Sequence, residues 1–404
     1  MPAPSDESRS PEKQLLACCA RTQVDSSTFA SIRRLTTGSI DWNLLLREAA
    51  EHSVTPLLCR QLPLVAGPIL DPKRLEQLKI KARAFAMRNL ALTSELLGVL
   101  DRLQSAGVQS FPYKGPVLAV QAYRDIALRE FEDLDIIVRH RDILKANEVM
   151  VNLGYRPKFP GLLSDAAATL APAEYAYFDD NRRIMVELHT ERTLRHFPAP
   201  PDIDDLATRL VTIFVGGQDL PTFCPEDTLI LLCIHGSKHF WERLSWTADI
   251  AEFILANAID WDALARRAEK MRATRMLDVS LALACQLFDL RLPDEVSRGV
   301  KSDTVAAFIA SSIAERLLAS GTKDPSGFAR FHLRRRMLKG RLEGWRYSIR
   351  LATLASDEDW SALPLPRFLT PFYTVLRPLR MLTKYGLSES SSSRESIADG
   401  KASN

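Results

Sequence analysis

Residues 111–138 contain the side chains of this chain that are best suited to chemistry. Asp133 and Asp135 stand two positions apart in the apolar run DLDIIV. In a β-strand, such residues point to the same face and lie about 6–7 Å apart along the strand. Upstream, Lys114 and Gly115 begin a Lys-Gly-Pro turn, where a glycine lets backbone amides approach a phosphate closely. The carboxylates and the turn are together suited to hold a divalent cation and the phosphates of a nucleotide.

A third carboxylate, Glu187, occurs in the later segment RRIMVELHT. Its alternating pattern places three aliphatic residues on one face and Glu187 with His189 on the other. Nucleotidyl transfer needs acidic ligands for one or two Mg²⁺ ions, which neutralise the triphosphate and the leaving pyrophosphate. Glu187 is suited to be a third ligand or the general base for an acceptor hydroxyl, and His189 to line the site or brace Glu187. Lys114 and Arg129 are candidates for contact with phosphate; the alternatives are a structural ion pair for Lys114 and bracing of the aspartates for Arg129.

These residues fall on a predicted unit of strand, turn, helix and strand that is followed by a hairpin. SFPYK and DLDIIV are predicted strands, and Pro116 between them suits the first position of a helix. RDILKANEVMVNLGY is predicted to be a helix that ends near Gly154. EYAYF and RRIMVELHT flank residues 179–181, Asp-Asp-Asn, which is a hairpin signal. This order predicts a small mixed sheet and not a long doubly wound one.

Helical periodicity surrounds this unit on both sides. We therefore predict an α+β protein with a small mixed-sheet core between N- and C-terminal helical regions. The predicted divisions are a disordered segment 1–11, an N-terminal helical region 12–95, an α/β core 96–215, a C-terminal helical domain 216–325, a basic and Pro-rich extension 326–386, and a disordered tail 387–404.

Composition excludes several classes of protein. The chain has 404 residues, 46% of them hydrophobic and 25% charged, which is typical of a globular protein, and its net charge of +3 is too small to indicate a nucleic-acid partner. Its six cysteines include no CxxC pair, which favours a reducing compartment. No signal peptide and no apolar run long enough for a transmembrane segment is recognisable. A cytoplasmic location is the expectation.

The motifs together resemble the uncharacterised nucleotidyltransferase family, which belongs to the polymerase-beta-like superfamily. They are KG, then YRD, then Arg-x-x-x-Asp-x-Asp, then Gly-Tyr after a helix, then VELH. The similarity extends to DWNLLLREAAEHSVTPLL and HGSKHFWERLSWTADIAEF and covers about residues 12–290. The resemblance implies a metal-dependent nucleotidyltransferase that uses an NTP and Mg²⁺, with Mn²⁺ as the alternative ion. It matches Asp133, Asp135 and Glu187 to the catalytic and metal-binding carboxylates and places Gly115 in the phosphate-binding turn.

One departure from the superfamily pattern keeps other interpretations open. Superfamily members usually have Gly-Gly or Gly-Ser at the turn, whereas here Gly115 precedes Pro116, which has no N–H to offer. The alternatives are a non-catalytic nucleotide-binding or scaffold protein with a degenerate fold, and a toxin-like enzyme that nucleotidylates a protein or a tRNA. A bare Asp-x-Asp pattern is also compatible with solvated aspartates on a strand. The acceptor is not indicated.

Two further clusters contain residues suited to binding. His235 and His239 share a helix face, as zinc ligands do, but Gly236 stands where a zinc protease needs a glutamate. Lys238 and His239 are candidates for contact with a nucleotide phosphate; the alternative is a seam of hydrogen-bonded His and Trp residues between domains. Residues 330–350 are rich in arginine, which suits an anionic membrane surface, an RNA backbone or an acidic polysaccharide, or else a solvated helix face. No RNA-binding signature accompanies this segment.

Overall fold

The computed structural model describes residues 10–158, 174–190, 202–319, 327–353, 363, 365, 369 and 372–386. The predicted disordered tail 387–404 and residues 1–9 of the predicted disordered segment 1–11 fall outside these residues, whereas Ser10 and Pro11 are ordered at the start of a helix. The helices are α1 (Pro11–Cys19), α2 (Ser26–Thr37), α3 (Trp42–Glu51), α4 (Thr55–Ala66), α5 (Pro72–Ser105), α6 (Gly115–Tyr123), α7 (Ile143–Asn152), α8 (Ile203–Leu206), α9 (Pro225–Lys238), α10 (Leu244–Ala256), α11 (Trp261–Lys270), α12 (Thr274–Phe288), α13 (Asp294–Ser302), α14 (Thr304–Leu318), α15 (Gly327–Arg336), α16 (Arg341–Thr353) and α17 (Tyr373–Gly386). The strands are β1 (Ser110–Pro112), β2 (Asp133–Val138), β3 (Arg156–Pro157), β4 (Glu174–Asp179), β5 (Ile184–His189), β6 (Leu210–Val215) and β7 (Gln218–Phe223).

The central sheet has five strands in the order β1-β2-β5-β4-β3. The pairing of β2 with β5 is parallel and the other three pairings are antiparallel, so the sheet is mixed. Parallel strands need a crossover connection, and α7 supplies a helix between β2 and β5. The predicted α+β class, the mixed sheet and the β4–β5 hairpin are confirmed.

One face of this sheet is apolar and covered by helices. Leu134, Ile136 and Val186 are fully buried and pack with aliphatic residues of α5 and α7. Because side chains alternate along a strand, this burial turns the intervening residues of β2 and β5 to the opposite face. The helical cover on one side thus fixes which face carries the acidic side chains.

A second hairpin, β6–β7, departs from our expectation of a C-terminal helical domain from residue 216, because β7 lies inside that range. Gly216 and Gly217 form its turn with φ of +60° and +91°, and glycines are favoured at such positions in two-residue hairpin turns. The Thr222 hydroxyl donates a hydrogen bond to the carbonyl of Pro112 (2.8 Å), which fastens the hairpin to β1. Two of the predicted divisions fall inside continuous structure. The division after residue 95 lies within α5, and the division after residue 215 lies within the β6–β7 hairpin.

The N- and C-terminal helical regions share one core. Leu15 of α1, Leu58 of α4 and Ile309 of α14 are buried in the same apolar cluster. The backbone N–H of Ser10 donates to the carbonyl of Leu318 (3.2 Å), which ties the start of α1 to the end of α14. The helical regions therefore form one body against which the mixed sheet lies. Within the described part of the chain, the helices are too short or too polar to span a bilayer.

Candidate functional site

The Lys114–Gly115 turn joins β1 to α6. Gly115 has a φ of +55°, a left-handed conformation that side chains disfavour, so glycine is the residue this turn requires. Pro116 lies in the first turn of α6, as predicted. Lys114 lines a cavity beside the sheet, whereas Gly115 is buried and not among the lining residues. A contact between Gly115 and phosphate therefore remains a prediction.

Asp135 is the buried centre of the cluster. Its Oδ1 accepts hydrogen bonds from Lys114 Nζ (3.2 Å) and from His189 Nε2 (2.7 Å). Burial opposes ionisation of Asp135, but Lys114 and His189 outweigh it and hold the pKa of this carboxyl well below its usual range. Burial also disfavours the charged form of Lys114, yet Asp135 raises the pKa of the ammonium above its ordinary value. This pair is charged and holds both side chains in place.

Asp133 and Glu187 are more open to the cavity. Among the described residues, no side chain donates a hydrogen bond to either carboxylate; His189 Nε2 lies 3.6 Å from Glu187 Oε2. Burial, reinforced by the charge of Asp135, raises the pKa of both carboxyl groups. Both groups therefore expose oxygen atoms whose negative charge the protein does not fully neutralise.

The sheet brings these groups together. Asp135 of β2 stands directly opposite Glu187 of β5 in the parallel register, and possible ligand atoms of Asp135, Glu187 and His189 lie within 4.8 Å of one another. Asp133 lines the same cavity but does not belong to that group of three. His189, which we considered only as a lining or bracing residue, is thus the third member. Its place two residues after Glu187 on one strand face was the signal for it.

The donor set fits a hard divalent cation. Carboxylate oxygens of Asp133, Asp135 and Glu187 are the ligands that Mg²⁺ and Mn²⁺ prefer. The unneutralised charge of Asp133 and Glu187 gives such an ion a favourable place in the cavity. His189 already hydrogen-bonds Asp135, which orients a carboxylate of this set.

Aromatic side chains line the same cavity, which has a volume of about 520 Å³. They are Tyr113, His235 of α9, His239 directly after α9, and Trp246 of α10, and we call them the aromatic wall. The ring centroid of His235 lies 4.7 Å from that of His239 and 5.4 Å from that of Trp246. Burial lowers the pKa of His239 to about 3 and that of His235 well below its usual range. Both imidazoles are therefore neutral, and the predicted phosphate ligand His239 is a cavity residue without positive charge.

Two of the predicted phosphate-binding cations are engaged by acids other than the aspartates of β2. Lys238 forms an ion pair with Glu174 of β4. Arg129 makes a bidentate pair with Asp249 of α10 (3.0–3.1 Å). Its positive charge still favours the ionised form of Asp133, so the alternative that it braces the aspartates of β2 stays a prediction. Sequence reasoning missed both acidic partners, because each lies on an element distant in sequence.

Arg243 differs from the other basic side chains of the cavity. Its Nη1 donates to the hydroxyl of Ser53 (3.1 Å), and its guanidinium lies 5.8 Å from the ring centroid of Trp246. The structure records no carboxylate partner for it among the described residues. Arg243 is exposed at the cavity. It is the side chain there whose charge is most available to an anion.

Comparison with known proteins completes the description of the site. A family described as uncharacterised nucleotidyltransferase matches residues 38–289. The crystal structure of an antigenic nucleotidyltransferase-like protein from Paracoccidioides brasiliensis is similar to this chain with a TM-score of 0.31 and 15% identity, over 54% of this chain and 92% of that one. No curated protein sequence matches significantly. The carboxylates of β2 and β5 and the aromatic wall all lie within the matched range.

Proposed function

Because this chain belongs to the uncharacterised nucleotidyltransferase family, we propose that it transfers a nucleoside monophosphate from an NTP to a hydroxyl or phosphate acceptor. Pyrophosphate is the second product. The observation that carries the proposal is the placement of Asp133, Asp135 and Glu187 on paired parallel strands, all lining one cavity. The cavity volume of about 520 Å³ lies in the range of small-molecule sites.

Asp133, Asp135 and Glu187 would hold Mg²⁺ or Mn²⁺, which would supply charge neutralisation for the triphosphate and its leaving group. Lys114 and His189 keep Asp135 ionised and oriented. Glu187, whose pKa is raised by burial, is a suitable base for the acceptor hydroxyl, because a base works best when its pKa approaches the operating pH.

The basic and aromatic side chains of the cavity would contact the phosphates and the nucleobase. Lys114 is committed to Asp135 and Lys238 to Glu174, so the phosphates would meet partly neutralised cations there. Arg243, with an uncharged partner, is the better anion ligand. Trp246 offers a flat surface beside it on which a nucleobase can stack. Neutral His235 and His239 would bind by hydrogen bonding and not by charge.

Substitution of the open carboxylates tests the proposal. Asp133→Asn and Glu187→Gln are expected to lower Mg²⁺-dependent pyrophosphate release at least about a hundredfold, with little change in the unfolding temperature because neither carboxylate is hydrogen-bonded by a described side chain. Asp135→Asn is expected to lose turnover and also stability, since it removes the buried partner of Lys114. Asp180→Asn, an exposed change in the hairpin turn of the same sheet, is the matched control. Undiminished turnover in purified Asp133→Asn or Glu187→Gln would contradict the assignment.

A non-catalytic nucleotide-binding protein is the second candidate, and a specific observation favours it. Pro116 removes a backbone donor from the turn, and Lys114 is already paired with Asp135. Calorimetry with Mg²⁺ and each NTP, followed by the pyrophosphate assay, separates the candidates. Binding without turnover across a panel of acceptors would support the non-catalytic protein.

A macromolecular acceptor is the third candidate. Arg243 and Trp246 line the cavity, and no described feature selects a protein or a tRNA end. Mass spectrometry of a lysate incubated with labelled NTP is the test. A labelled protein or RNA that disappears with Asp133→Asn would identify this class of acceptor.

A further inference from the structure

A stripe of apolar side chains on α16 is exposed to solvent. Leu342, Trp345 and Ile349 have exposed fractions of 63%, 59% and 57%. Their spacing of three and four residues places them on one side of the helix. Phe308 of α14 is also 60% exposed. None of the four lines the candidate active-site cavity.

Basic side chains surround this stripe. The guanidinium of Arg335 lies 5.4 Å from the ring centroid of Trp345, and that of Arg336 lies 5.9 Å from the ring of Phe308. Two neighbouring arginines of α15 thus connect the two exposed rings. Lys339 and Arg346 are exposed beside them.

Negative charge is scarce on α15 and α16 themselves. Glu343 is the acid within residues 327–353, and it is paired with Arg272. We call the surface the α16 face and define it by Leu342, Trp345, Ile349 and Phe308 together with Arg335, Arg336, Lys339 and Arg346. It combines apolar side chains that water does not favour with four basic side chains, on a segment (residues 327–353) whose acid is Glu343.

We propose that the α16 face binds the surface of a membrane that contains anionic lipids. Aliphatic and aromatic side chains enter the boundary between head groups and acyl chains, while arginine and lysine meet the lipid phosphates. A tryptophan among them is typical of residues at that boundary. An RNA backbone would engage the arginines but would leave Leu342 and Ile349 in water, so the chemistry favours lipid. This proposal is independent of the reaction at the carboxylates.

Sedimentation with vesicles tests the proposal on the full-length protein. We expect binding to vesicles of phosphatidylcholine with 30% phosphatidylglycerol, and at least about fivefold weaker binding to phosphatidylcholine alone. Raising NaCl from 0.1 to 0.5 M should weaken binding, because salt screens the attraction between arginines and lipid head groups. No binding to the anionic vesicles would overturn the proposal.

Matched substitutions separate the α16 face from unspecific adsorption. Leu342→Glu is expected to weaken vesicle binding at least about fivefold, whereas Leu255→Glu, at a leucine of α10 with 65% exposure, should bind as the wild type does. Arg346→Gln should weaken binding, and Arg266→Gln, an exposed arginine of α11, should not. Equal effects of Leu342→Glu and Leu255→Glu would overturn the proposal. So would light scattering that shows a dimer dissociated by Leu342→Glu, because the occupant would then be a second copy.

Discussion

At the scale of single residues, the three carboxylates differ in what holds them. Asp135 is fixed by Lys114 and His189, whereas Asp133 and Glu187 face the cavity with less support. The sequence predicts Asp133 and Asp135 as ligands from their spacing, and Glu187 from its place on the polar face of a later strand. It could not predict which of them would be buried against a lysine, because that depends on the turn before α6.

A buried histidine next to the site predicts how stability depends on pH. Burial, with the charges of Lys13 and Arg243 nearby, lowers the pKa of His52 from 6.5 to about 4. Between these values the unfolded chain binds more protons than the folded chain, so the free energy of unfolding falls as the pH falls from about 6.5 to 4. The contribution of His52 reaches about 3 kcal/mol at the acidic end.

His52→Asn should remove this contribution. The Asn side-chain oxygen can still accept the hydrogen bond that the Leu244 N–H donates to His52 Nδ1 (3.4 Å). Urea unfolding at pH 7.0, 5.5 and 4.5 measures the effect, and the acid loss in the variant should be smaller by up to about 3 kcal/mol. His235 and His239 are present in both proteins and cancel in the comparison. Identical losses in wild type and variant would contradict the pKa of His52.

At the scale of elements, the connection from α9 to α10 includes His239 of the aromatic wall and separates His235 from Trp246. Phe240 and Trp241 have φ of +57° and +46°, which costs energy in residues that carry side chains. Trp241 is fully buried, and its indole lies where a side chain at Gly236 would stand: a Cβ there would come within 2.4 Å of Trp241 Nε1. In the sequence, Gly236 argues against a zinc protease. In the structure, its lack of a side chain leaves room for the Trp241 indole.

Gly236→Ala should therefore destabilise the protein. Displacing the Trp241 indole from a packed core is expected to lower the free energy of unfolding by about 1–3 kcal/mol. Gly98→Ala on the exposed side of α5, where nothing lies within 4 Å of the added Cβ, should instead raise it by about 0.5–1 kcal/mol. Chemical denaturation of both variants measures the contrast. A neutral Gly236→Ala would show that the indole is free to move.

The elements that the sequence predicted are those with strong local signals. The strands of DLDIIV and VELH follow from alternation, and the β4–β5 hairpin follows from Asp179 to Asn181. The parallel register of Asp135 with Glu187 was not predictable, since it depends on a crossover and not on neighbouring residues. The β6–β7 hairpin is absent from our prediction, although the pair Gly216-Gly217 is a known signal for a two-residue hairpin turn.

At the scale of the molecule, one buried ion pair joins the sheet to the helical body. Arg129, from the segment before β2, pairs with Asp249 of α10, whose Oδ1 also accepts from the Tyr123 hydroxyl of α6 (2.8 Å). The pair spans 120 positions in the sequence. Because β2 begins four residues after Arg129 and Trp246 lies three residues before Asp249, the pair links the strand of Asp133 and Asp135 to the helix of Trp246.

Asp249→Asn is expected to lower the free energy of unfolding by about 3–5 kcal/mol, because it leaves the charge of Arg129 buried without a counter-ion. Asp180→Asn breaks the pair between Arg156 (59% exposed) and Asp180 (68% exposed). Because this pair is exposed, its loss should change the free energy of unfolding by less than about 1 kcal/mol. Equilibrium unfolding in urea compares them. Similar small effects in both variants would show that the buried pair does not hold the two bodies together.

The hydrogen bond from Ser10 to Leu318 has a consequence for synthesis on the ribosome. The first helices leave the exit tunnel long before the C-terminal helices that complete their core have been translated. At about 5–20 residues per second, the wait lasts about 15 to 60 s. During that interval the nascent chain exposes the apolar sides of α1 and α4, which makes it a client for chaperones that shield unfinished proteins.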